Sequence, residues 1–343
     1  MWHLHLIKSA AMLLAVCLAI PASGVAQARA NDKGQQFPQV TLSNGKITAT
    51  VYLPDEREGY YRGTRFDWSG VIPSLQYAGH QYYGEWFDTH KPLSHDGIVG
   101  PVEEFSPLGY EQAKAGEEFV KIGVGSLIKP DDRAYVFHRH YTLSDPGVWH
   151  IENDGQHIAF KHVLEHDRYP YRYQKMVRLP EGEPTMVLEH TLKNTGDNVL
   201  ETRVYNHNFF VIDHEPAGPG YRVLVPGDNP SARGAKGLAD IVVLEGNAIR
   251  FLREPRAGEQ AYFADLGAGQ AVDYDIDVRN IRSGAGARIV GDRPISQMVF
   301  WASPTTVCPE PYIDVRVAPG ETFSWTITYH YYHQDNVTDY PIN

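Results

Sequence analysis

Short runs in which apolar and polar residues alternate recur along most of the chain. Residues 47–53 form one such run, preceded by Ser43-Asn44-Gly45-Lys46, and Asn-Gly between two alternating runs is the strongest short signal for a β-hairpin. Residues 134–141, 148–151, 185–192 and 322–332 repeat the pattern, and most of these runs end near a Gly-containing turn. Because successive side chains of a strand point to opposite faces, a period of two predicts half-buried strands.

Helical periodicity is scarce by comparison. Residues 109–119 are the best candidate for a short helix. Many short strands separated by turns roughly every 8–12 residues are typical of an antiparallel β-sandwich, so we predict an all-β fold. Residues 213–237 and 253–270 are the richest in Gly and Pro. We expect them to form long loops of the kind that often carry function on a rigid sheet.

The first thirty residues have the pattern of an export signal. Lys8 precedes the apolar run 10–20, and Ala26-Gln27-Ala28 or Ala28-Arg29-Ala30 offers a cleavage site. The run is too short to cross a bilayer but suits a secretory signal, with a retained anchor as the alternative. We therefore divide the chain into a signal peptide (1–30), a polar leader (31–39) and a single β-sandwich domain (40–343). We expect a periplasmic or secreted protein with no membrane anchor in the mature chain.

Composition narrows the possible partners. The 343 residues carry a formal net charge of −11, and this acidic balance argues against a nucleic-acid partner, because phosphate binding needs clustered Lys and Arg. There are 21 Tyr against 13 Phe and 6 Trp, which favours strands and leaves sugars open as ligands. The two cysteines are Cys17 and Cys308. Cleavage would leave only Cys308, so no disulfide could form within the mature chain.

Two segments carry candidate proton-transfer groups. Residues 205–213 place His207 among aromatic and amide side chains; a histidine titrates near neutrality and can donate a proton, although a structural histidine satisfied by backbone would have the same pattern. Glu310 lies between Pro309 and Pro311 in what we expect to be a rigid, semi-apolar loop. Such surroundings raise the pKa of a carboxyl into the range of a general base. The alternative is an exposed loop carboxylate.

Two further segments could hold a ligand. Residues 60–70 place Arg62 and Arg65 beside aromatic residues, which suits sugar binding through stacking and multiple donors but also fits a surface strand with cation–π contacts. Residues 95–105 present His95, Glu103 and Glu104 near turn residues, and a hairpin with solvated charges is the alternative there.

His138 and His140 would share one face of a strand and could begin a metal site. No third ligand is indicated by spacing, so we predict no metal and no cofactor. The sequence has no nucleophile elbow, phosphate-binding loop, dinucleotide fingerprint or zinc-protease motif.

Taken in order, four segments resemble the galactose mutarotase (aldose 1-epimerase) superfamily. Residues 62–70 resemble its early Arg-containing strand, and His95-Asp96-Gly97 resembles its His-Gly-Gly turn. Residues 206–210 (Asn-His-Asn-Phe-Phe) are similar to its Asn-His-x-Tyr-Phe segment. Residues 307–311 (Val-Cys-Pro-Glu-Pro), followed by Pro319-Gly320-Glu321 and a terminal Thr-x-Tyr strand, resemble its Glu-bearing end. The resemblance covers roughly residues 40–332.

The resemblance implies a large antiparallel β-supersandwich and a reaction without metal or redox cofactor. In that reaction His207 would protonate the ring oxygen, Glu310 would take the proton of the anomeric hydroxyl, and Arg65 and His95 would hold hydroxyls. Asp96 replaces a family glycine, and residues 100–105 are not typical of ordinary mutarotases. Our candidate substrate-binding residues are Arg62, Arg65, His95, Glu104, Asn206 and Asp213.

Three functions follow as hypotheses. The first is a secreted aldose 1-epimerase-like enzyme that acts on a free sugar or on the reducing end of an oligosaccharide. The second is a lyase that cleaves a uronic-acid-containing glycan by β-elimination on the same scaffold. The third is a non-catalytic glycan-binding protein, which would have no need to retain both His207 and Glu310. Because one fold hosts several chemistries, the fold transfers better than the reaction.

Overall fold

Nearly all regular structure in the computed structural model is β-strand. The structure describes residues 37–227, 236–237, 240–266 and 272–334. The strands are β1 (Gln39–Ser43), β2 (Ile47–Tyr52), β3 (Val71–Tyr77), β4 (His80–Gln81), β5 (Gly100–Phe105), β6 (Glu118–Lys121), β7 (Gly125–Ile128), β8 (Thr142–Asp145), β9 (Val148–Asn153), β10 (His157–Leu164), β11 (Tyr171–Arg178), β12 (Thr185–Asn194), β13 (Leu200–Phe209), β14 (Tyr221–Leu224), β15 (Lys236–Gly237), β16 (Val242–Glu245), β17 (Ala248–Phe251), β18 (Ala261–Phe263), β19 (Asp275–Asn280), β20 (Ala285–Gly291), β21 (Gln297–Ser303), β22 (Thr306–Val317) and β23 (Thr322–His333). A 3₁₀ turn, Ile212–His214, follows β13.

Two large antiparallel sheets form the sandwich. One has ten strands in the order β16-β17-β14-β19-β20-β23-β12-β11-β10-β9, and the other has six in the order β15-β18-β21-β22-β13-β5. Smaller sheets, β1-β2-β3-β4 and β6-β7-β8, complete the fold. Apolar side chains of both large sheets, such as Val204 and Val315 from one and Leu188 and Ile327 from the other, belong to one buried cluster. The predicted all-β sandwich is therefore confirmed.

Several predicted elements form as expected. The first hairpin turns at Asn44-Gly45, where the Asn44 side chain accepts hydrogen bonds from the backbone of Lys46 (3.0 Å) and Ile47 (2.8 Å). Gly45 has a φ of +82°, a conformation that glycine adopts without steric cost. The terminal run forms β23, which lies between β20 and β12 near the centre of the ten-stranded sheet.

The predicted helix at residues 109–119 is wrong. Leu108 and Val120 form an antiparallel bridge, with backbone hydrogen bonds of 2.8 and 3.0 Å in the two directions. Gly109 and Gly116 have positive φ angles of +78° and +88°, so the backbone leaves helical geometry at both positions. The apolar spacing reflects a turn that packs Tyr110 and Ala113 inward.

Residues 134–141 form a loop, which corrects the predicted strand there. The Tyr141 hydroxyl accepts a hydrogen bond from the backbone N–H of Val136 (3.0 Å) and lies 3.2 Å from the Val136 carbonyl oxygen, and the rings of Tyr135 and Tyr141 stack. These contacts fold the segment on itself, so His138 and His140 do not share a strand face. Across the described ranges no cluster of three His, Cys, Asp or Glu side chains could hold a metal ion.

The predicted signal peptide and residues 31–36 of the leader lie outside the described residues. The described residues belong to a compact unit that begins at Phe37. No helix in this part of the chain has the length and apolarity that a membrane span requires. Cys308 is buried as a free thiol.

Candidate active site

Three neighbouring strands of the six-stranded sheet bring the candidate residues together. β13 lies between β5 and β22, and alternate side chains of each strand point away from the sandwich interior. Tyr205 and His207 on β13 and Glu310 on β22 thus share the outer face of the sheet with Glu104 of β5. The site is built on strands, whose backbone hydrogen bonds fix the spacing of the side chains.

The outer face carries a cavity of about 400 Å³. This volume is within the range of small-molecule sites, roughly 300–1,000 Å³. Its aromatic lining consists of Trp86, Phe137, Tyr205, Phe209, Tyr262, Trp301 and Tyr312. Its polar lining consists of Arg65, His95, Asp96, Glu104, Ser106, His207, Gln260, Ser303 and Glu310. Flat aromatic rings and dense polar groups together suit a ligand with apolar faces and many hydroxyls.

His207 and Glu310 form a close pair in this cavity. The His207 Nε2 lies 3.3 Å from the Glu310 Oε1, and the side chains are 4% and 7% exposed. The imidazole stacks on Phe209 with ring centroids 3.8 Å apart, and Phe209 stacks in turn on Trp86. The Nδ1 of His207 has no hydrogen-bond partner among the described residues. Stacking therefore sets the orientation of the ring.

Glu310 lies within strand β22 and not in the loop that its flanking prolines predict. Pro309 and Pro311 have no N–H to donate to a neighbouring strand. The Asn208 side-chain amide donates to the Pro309 carbonyl (2.9 Å) and bridges the two strands at this point. The carboxyl is buried, so its surroundings differ from those of an exposed loop residue.

Burial shifts the pKa values of the pair in opposite directions. Loss of solvent raises the pKa of Glu310 to about 8, with Glu104 adding to the rise and Arg65 opposing it. Burial, assisted by the positive charge of Arg65, lowers the pKa of His207 well below its usual value. Near neutral pH the cavity thus holds a protonated carboxyl beside a neutral imidazole, so the two groups share a single transferable proton.

A second charged group lies beside this pair. The Arg65 guanidinium donates to Glu104 through Nε (2.6 Å) and to the Tyr205 hydroxyl through Nη2 (2.8 Å), while the Tyr205 hydroxyl donates to Glu104. Lys121 also reaches Glu104, at 3.4 Å. Burial alone would raise the pKa of Glu104, but the positive charges of Lys121 and Arg65 lower it overall. Glu104 is therefore an ionised acceptor.

Loops form the rim of the cavity. His95 and Asp96 come from the segment between β4 and β5, and partial burial lowers the pKa of His95. Phe137 comes from the 134–141 loop, and the Arg65 guanidinium lies 4.4 Å from its ring centroid. Phe137 is 47% exposed, so it presents a free aromatic face at the entrance.

Three of the predicted substrate-binding residues lie away from the cavity. Asn206 follows the alternation of β13 into the sandwich interior, where its amide donates to Glu103 (2.9 Å). Arg62 donates to the backbone carbonyl of Arg57 (2.6 Å). Asp213 bonds to the His80 ring (2.8 Å) and to the Gln81 backbone (3.0 Å). Of the candidates, Arg65, His95, Glu104, His207 and Glu310 line the cavity.

A buried ionic cluster lies directly beneath the site, between the two large sheets. Glu103 of β5 accepts from Lys175 (2.5 Å) and from Asn206, and lies 3.0 Å from the Nε2 of His190. Lys175 also donates to the Ser69 carbonyl (3.1 Å). We refer to Glu103, Lys175, His190 and Asn206 as the interior cluster. Glu103 and Glu104 are adjacent in sequence but serve opposite faces of the sheet.

Sequence reasoning missed most of the aromatic lining. Tyr205 and Tyr312 stand two positions from His207 and Glu310 on the same strands, and the period of two could have found them. Trp86 and Phe137 come from loops distant in sequence, and no local pattern places them near His207. Tyr262 and Trp301 reach the cavity through the pairing of β18 with β21.

Comparisons with known proteins identify the fold. No family model and no curated protein sequence matches the chain. Among solved structures, a putative aldose 1-epimerase from Escherichia coli K12 is 15% identical, with a TM-score of 0.53 over 86% of this chain and 99% of that one. A galactose mutarotase related enzyme from Lactobacillus acidophilus is 12% identical, with a TM-score of 0.52 over 88% and 99%. A galactose mutarotase-like protein from Lactobacillus casei is also 12% identical, with a TM-score of 0.52 over 86% of this chain and 100% of that one.

The chain therefore has the galactose mutarotase-like fold. At these identities the likeness concerns the fold alone, so the chemistry has to be argued from the residues of the cavity.

Proposed function

We propose that this chain is an aldose 1-epimerase, which interconverts the α and β anomers of a sugar through the open-chain aldehyde. Ring opening removes a proton from the anomeric hydroxyl and adds one to the ring oxygen. Both oxygens are bonded to the same carbon, so the base and the acid have to be neighbours. The single observation that carries the proposal is the buried His207–Glu310 pair, with its two functional atoms 3.3 Å apart.

The protonation of the pair fits a reversible proton exchange. In one direction ionised Glu310 takes the hydroxyl proton while protonated His207 gives its proton to the ring oxygen. Ring opening thus starts from the minor form of the pair, with the shared proton on His207, and ends in protonated Glu310 and neutral His207, the form that the opposed pKa shifts favour. Rotation about the C1–C2 bond and reversal of both transfers close the ring as the other anomer.

Other groups in the cavity would orient the sugar. Arg65 and His95 can donate to hydroxyls, ionised Glu104 can accept from them, and the rings of Trp86 and Trp301 offer apolar faces. These roles need no bond to the reacting carbon. They hold the ring so that its oxygen and its anomeric hydroxyl meet the acid and the base.

The lyase hypothesis is less well supported. β-Elimination from a uronic acid needs a group that neutralises the sugar carboxylate. Arg65 is the permanently charged cation among the described cavity residues, and Glu104 already engages it at 2.6 Å. A carboxylate at this place would meet Glu104 at close range. A non-catalytic binder would gain nothing from keeping a carboxyl with a raised pKa against a histidine.

The proposal is tested by following the optical rotation of freshly dissolved single anomers. The panel consists of glucose, galactose, mannose, xylose, arabinose and fucose. We expect the purified chain to accelerate the drift to equilibrium for at least one sugar, in proportion to enzyme concentration. Heat-denatured protein is the control for buffer catalysis. If no sugar in the panel equilibrates faster than in the control, the proposal is wrong.

The pH dependence of kcat/KM should reflect the single proton that His207 and Glu310 share. We expect kcat/KM to fall above about pH 8, because Glu310 then loses its proton while His207 is already neutral. On the acid side, kcat/KM should fall only well below pH 6.5, where His207 becomes protonated while Glu310 still carries its own proton.

The Glu104→Gln variant provides a directional check on this profile. Removing the negative charge of Glu104 withdraws one cause of the raised pKa of Glu310 and leaves Arg65 uncompensated. We expect the alkaline limb to move to lower pH in this variant. A limb that stays in place, or that moves upward, would contradict the assignment of the limb to Glu310.

A further inference from the structure

A second cavity lies on the same side of the six-stranded sheet. It has a volume of about 540 Å³ and is lined by residues 107–112, Tyr135, Tyr169, Val199 and Glu201. The lining combines tyrosine rings with the polar side chains of Gln112 and Glu201. It is therefore similar in chemistry to the lining of the first cavity, although none of its residues takes part in the proton exchange.

Three chain segments run through both cavities. On β13, Tyr205 lines the first and Glu201 the second. After β5, Ser106 lines the first and the following segment, from Pro107, lines the second. In the 134–141 loop, Phe137 and Tyr135 do the same. Because Tyr205 and Glu201 are four residues apart on one strand face, the cavities are about 13 Å apart along the strand.

The outer face of β13 between Tyr205 and Glu201, which we call the Arg203 floor, is polar. Arg203 stands between Tyr205 and Glu201 on the same face of β13, and its guanidinium lies 4.8 Å from the Tyr312 ring centroid. Arg203 is fixed by Asp314 (3.2 Å) and by the Gln297 side chain (2.7 Å). Beyond it, Glu201 pairs with Arg316 at 2.5 Å. The side chains of these two pairs are 41% to 73% exposed, so they can exchange hydrogen bonds with hydroxyls without leaving an isolated charge.

We propose that the substrate is an oligosaccharide, whose reducing-end residue occupies the first cavity and whose more distant residues lie along the Arg203 floor into the second. This inference rests on the proposed function, because it names the substrate class of the same site. A single sugar ring fills only the first cavity, so it makes none of the contacts of the second. A chain of three or four sugars gains those contacts without any change in the reacting end.

The test compares sugar substrates of different length with the wild-type protein. Anomer interconversion is measured by polarimetry for glucose, for malto- and cello-oligosaccharides of two to four units, for galactose and for β-1,4-linked galacto-oligosaccharides. We expect kcat/KM in at least one series to rise by about tenfold or more between one and four units, mainly through KM, since tenfold corresponds to the contacts of one well-placed aromatic group. Equal kcat/KM at every length in every series would overturn the inference and leave the proposed function standing.

Two variants locate the effect in the second cavity. Tyr169→Ala removes an aromatic wall and Val199→Trp fills the space; both should remove the advantage of the longer chains while leaving kcat/KM for the monosaccharide unchanged. Tyr77→Ala, another partly buried tyrosine on a different sheet, is the matched control and should keep the advantage. A loss shared equally by monosaccharide and tetrasaccharide would overturn the inference.

Failure of the proposed function would give a different result. If neither monosaccharides nor oligosaccharides are turned over, the epimerase proposal is wrong, and calorimetric titration with the same tetrasaccharides tests the second cavity on its own. Binding that Tyr169→Ala weakens and Tyr77→Ala preserves would support the oligosaccharide site. The absence of binding to the wild-type chain would overturn it.

Discussion

Replacing Glu310 by Gln will slow anomer interconversion by at least about a hundredfold, because a general acid–base group contributes roughly 10²- to 10⁴-fold to a reaction rate. Gln keeps the size of the side chain but can neither take nor return a proton. His207→Ala should reduce the rate by a similar factor. The double variant should be only slightly slower than either single variant, because neither group can complete the proton exchange alone. Polarimetry with the sugar that the wild type handles best measures all three.

Glu321→Gln is the matched control for this experiment. Glu321 lies in the turn before β23 and its side chain is exposed, so its loss should leave the rate unchanged. Folding of each variant is checked by circular dichroism. If Glu310→Gln retains a rate within a few-fold of the wild type, the acid–base role of this residue is excluded.

Glu310→Gln should slow the reaction but stabilise the folded protein at alkaline pH. The raised pKa means that folded Glu310 keeps its proton up to about pH 8, whereas the unfolded chain releases it near pH 4.3. The wild type therefore loses stability as the pH rises between these values, by an amount on the order of 3–5 kcal/mol. Glu310→Gln should lack this loss, so its melting temperature should exceed that of the wild type at pH 8 more than at pH 5.

The second large effect concerns the interior cluster. Lys175→Met should lower the free energy of unfolding by roughly 3–5 kcal/mol, because it removes the lysine partner of a buried ion pair and leaves Glu103 with only its contacts to His190 and Asn206. Chemical denaturation at neutral pH measures the change. Adding Glu103→Gln to Lys175→Met should recover much of the loss, because the isolated charge is then gone.

A surface pair gives the comparison. Lys161 and Glu152 are 2.6 Å apart on neighbouring strands, but their side chains are 40% and 68% exposed. Lys161→Met should therefore cost less than about 1 kcal/mol. A cost for Lys175→Met as small as that for Lys161→Met would show that the interior cluster contributes little to folding.

The fold was largely predictable because the signal is local. Alternation with a period of two, together with Asn-Gly turns, needs only neighbouring residues, and it correctly predicts β1, β2 and β23. Residues 109–119 mislead because apolar spacing in a tight turn can imitate a helix when Gly109 and Gly116 take positive φ angles. Residues 134–141 mislead because Tyr135 and Tyr141 stack on each other and meet Phe119 of β6 edge-on, although the segment itself forms a loop.

The site was predictable only in part, for a related reason. His207 and Glu310 lie in two segments of unusual composition, and Arg65, His95 and Glu104 lie in two further such segments, residues 60–70 and 95–105. Asn206 was wrongly predicted to bind substrate, because its role depends on which member of an alternating strand points inward. That choice is set by Glu103 and Lys175, which come from two other strands, so no inspection of residues 205–213 alone could make it.

The acid–base pair stands on central strands, whereas Trp86, His95 and Phe137 come from loops at the rim. Strands in the middle of a sheet are held on both sides, but loops tolerate exchange of sequence and length. In the proposed reaction the proton-transfer pair would therefore lie on the rigid sheet, while part of the sugar-contacting surface would come from exchangeable loops. Grafting other rim loops onto this sheet should change which sugar is accepted and leave the type of reaction unchanged.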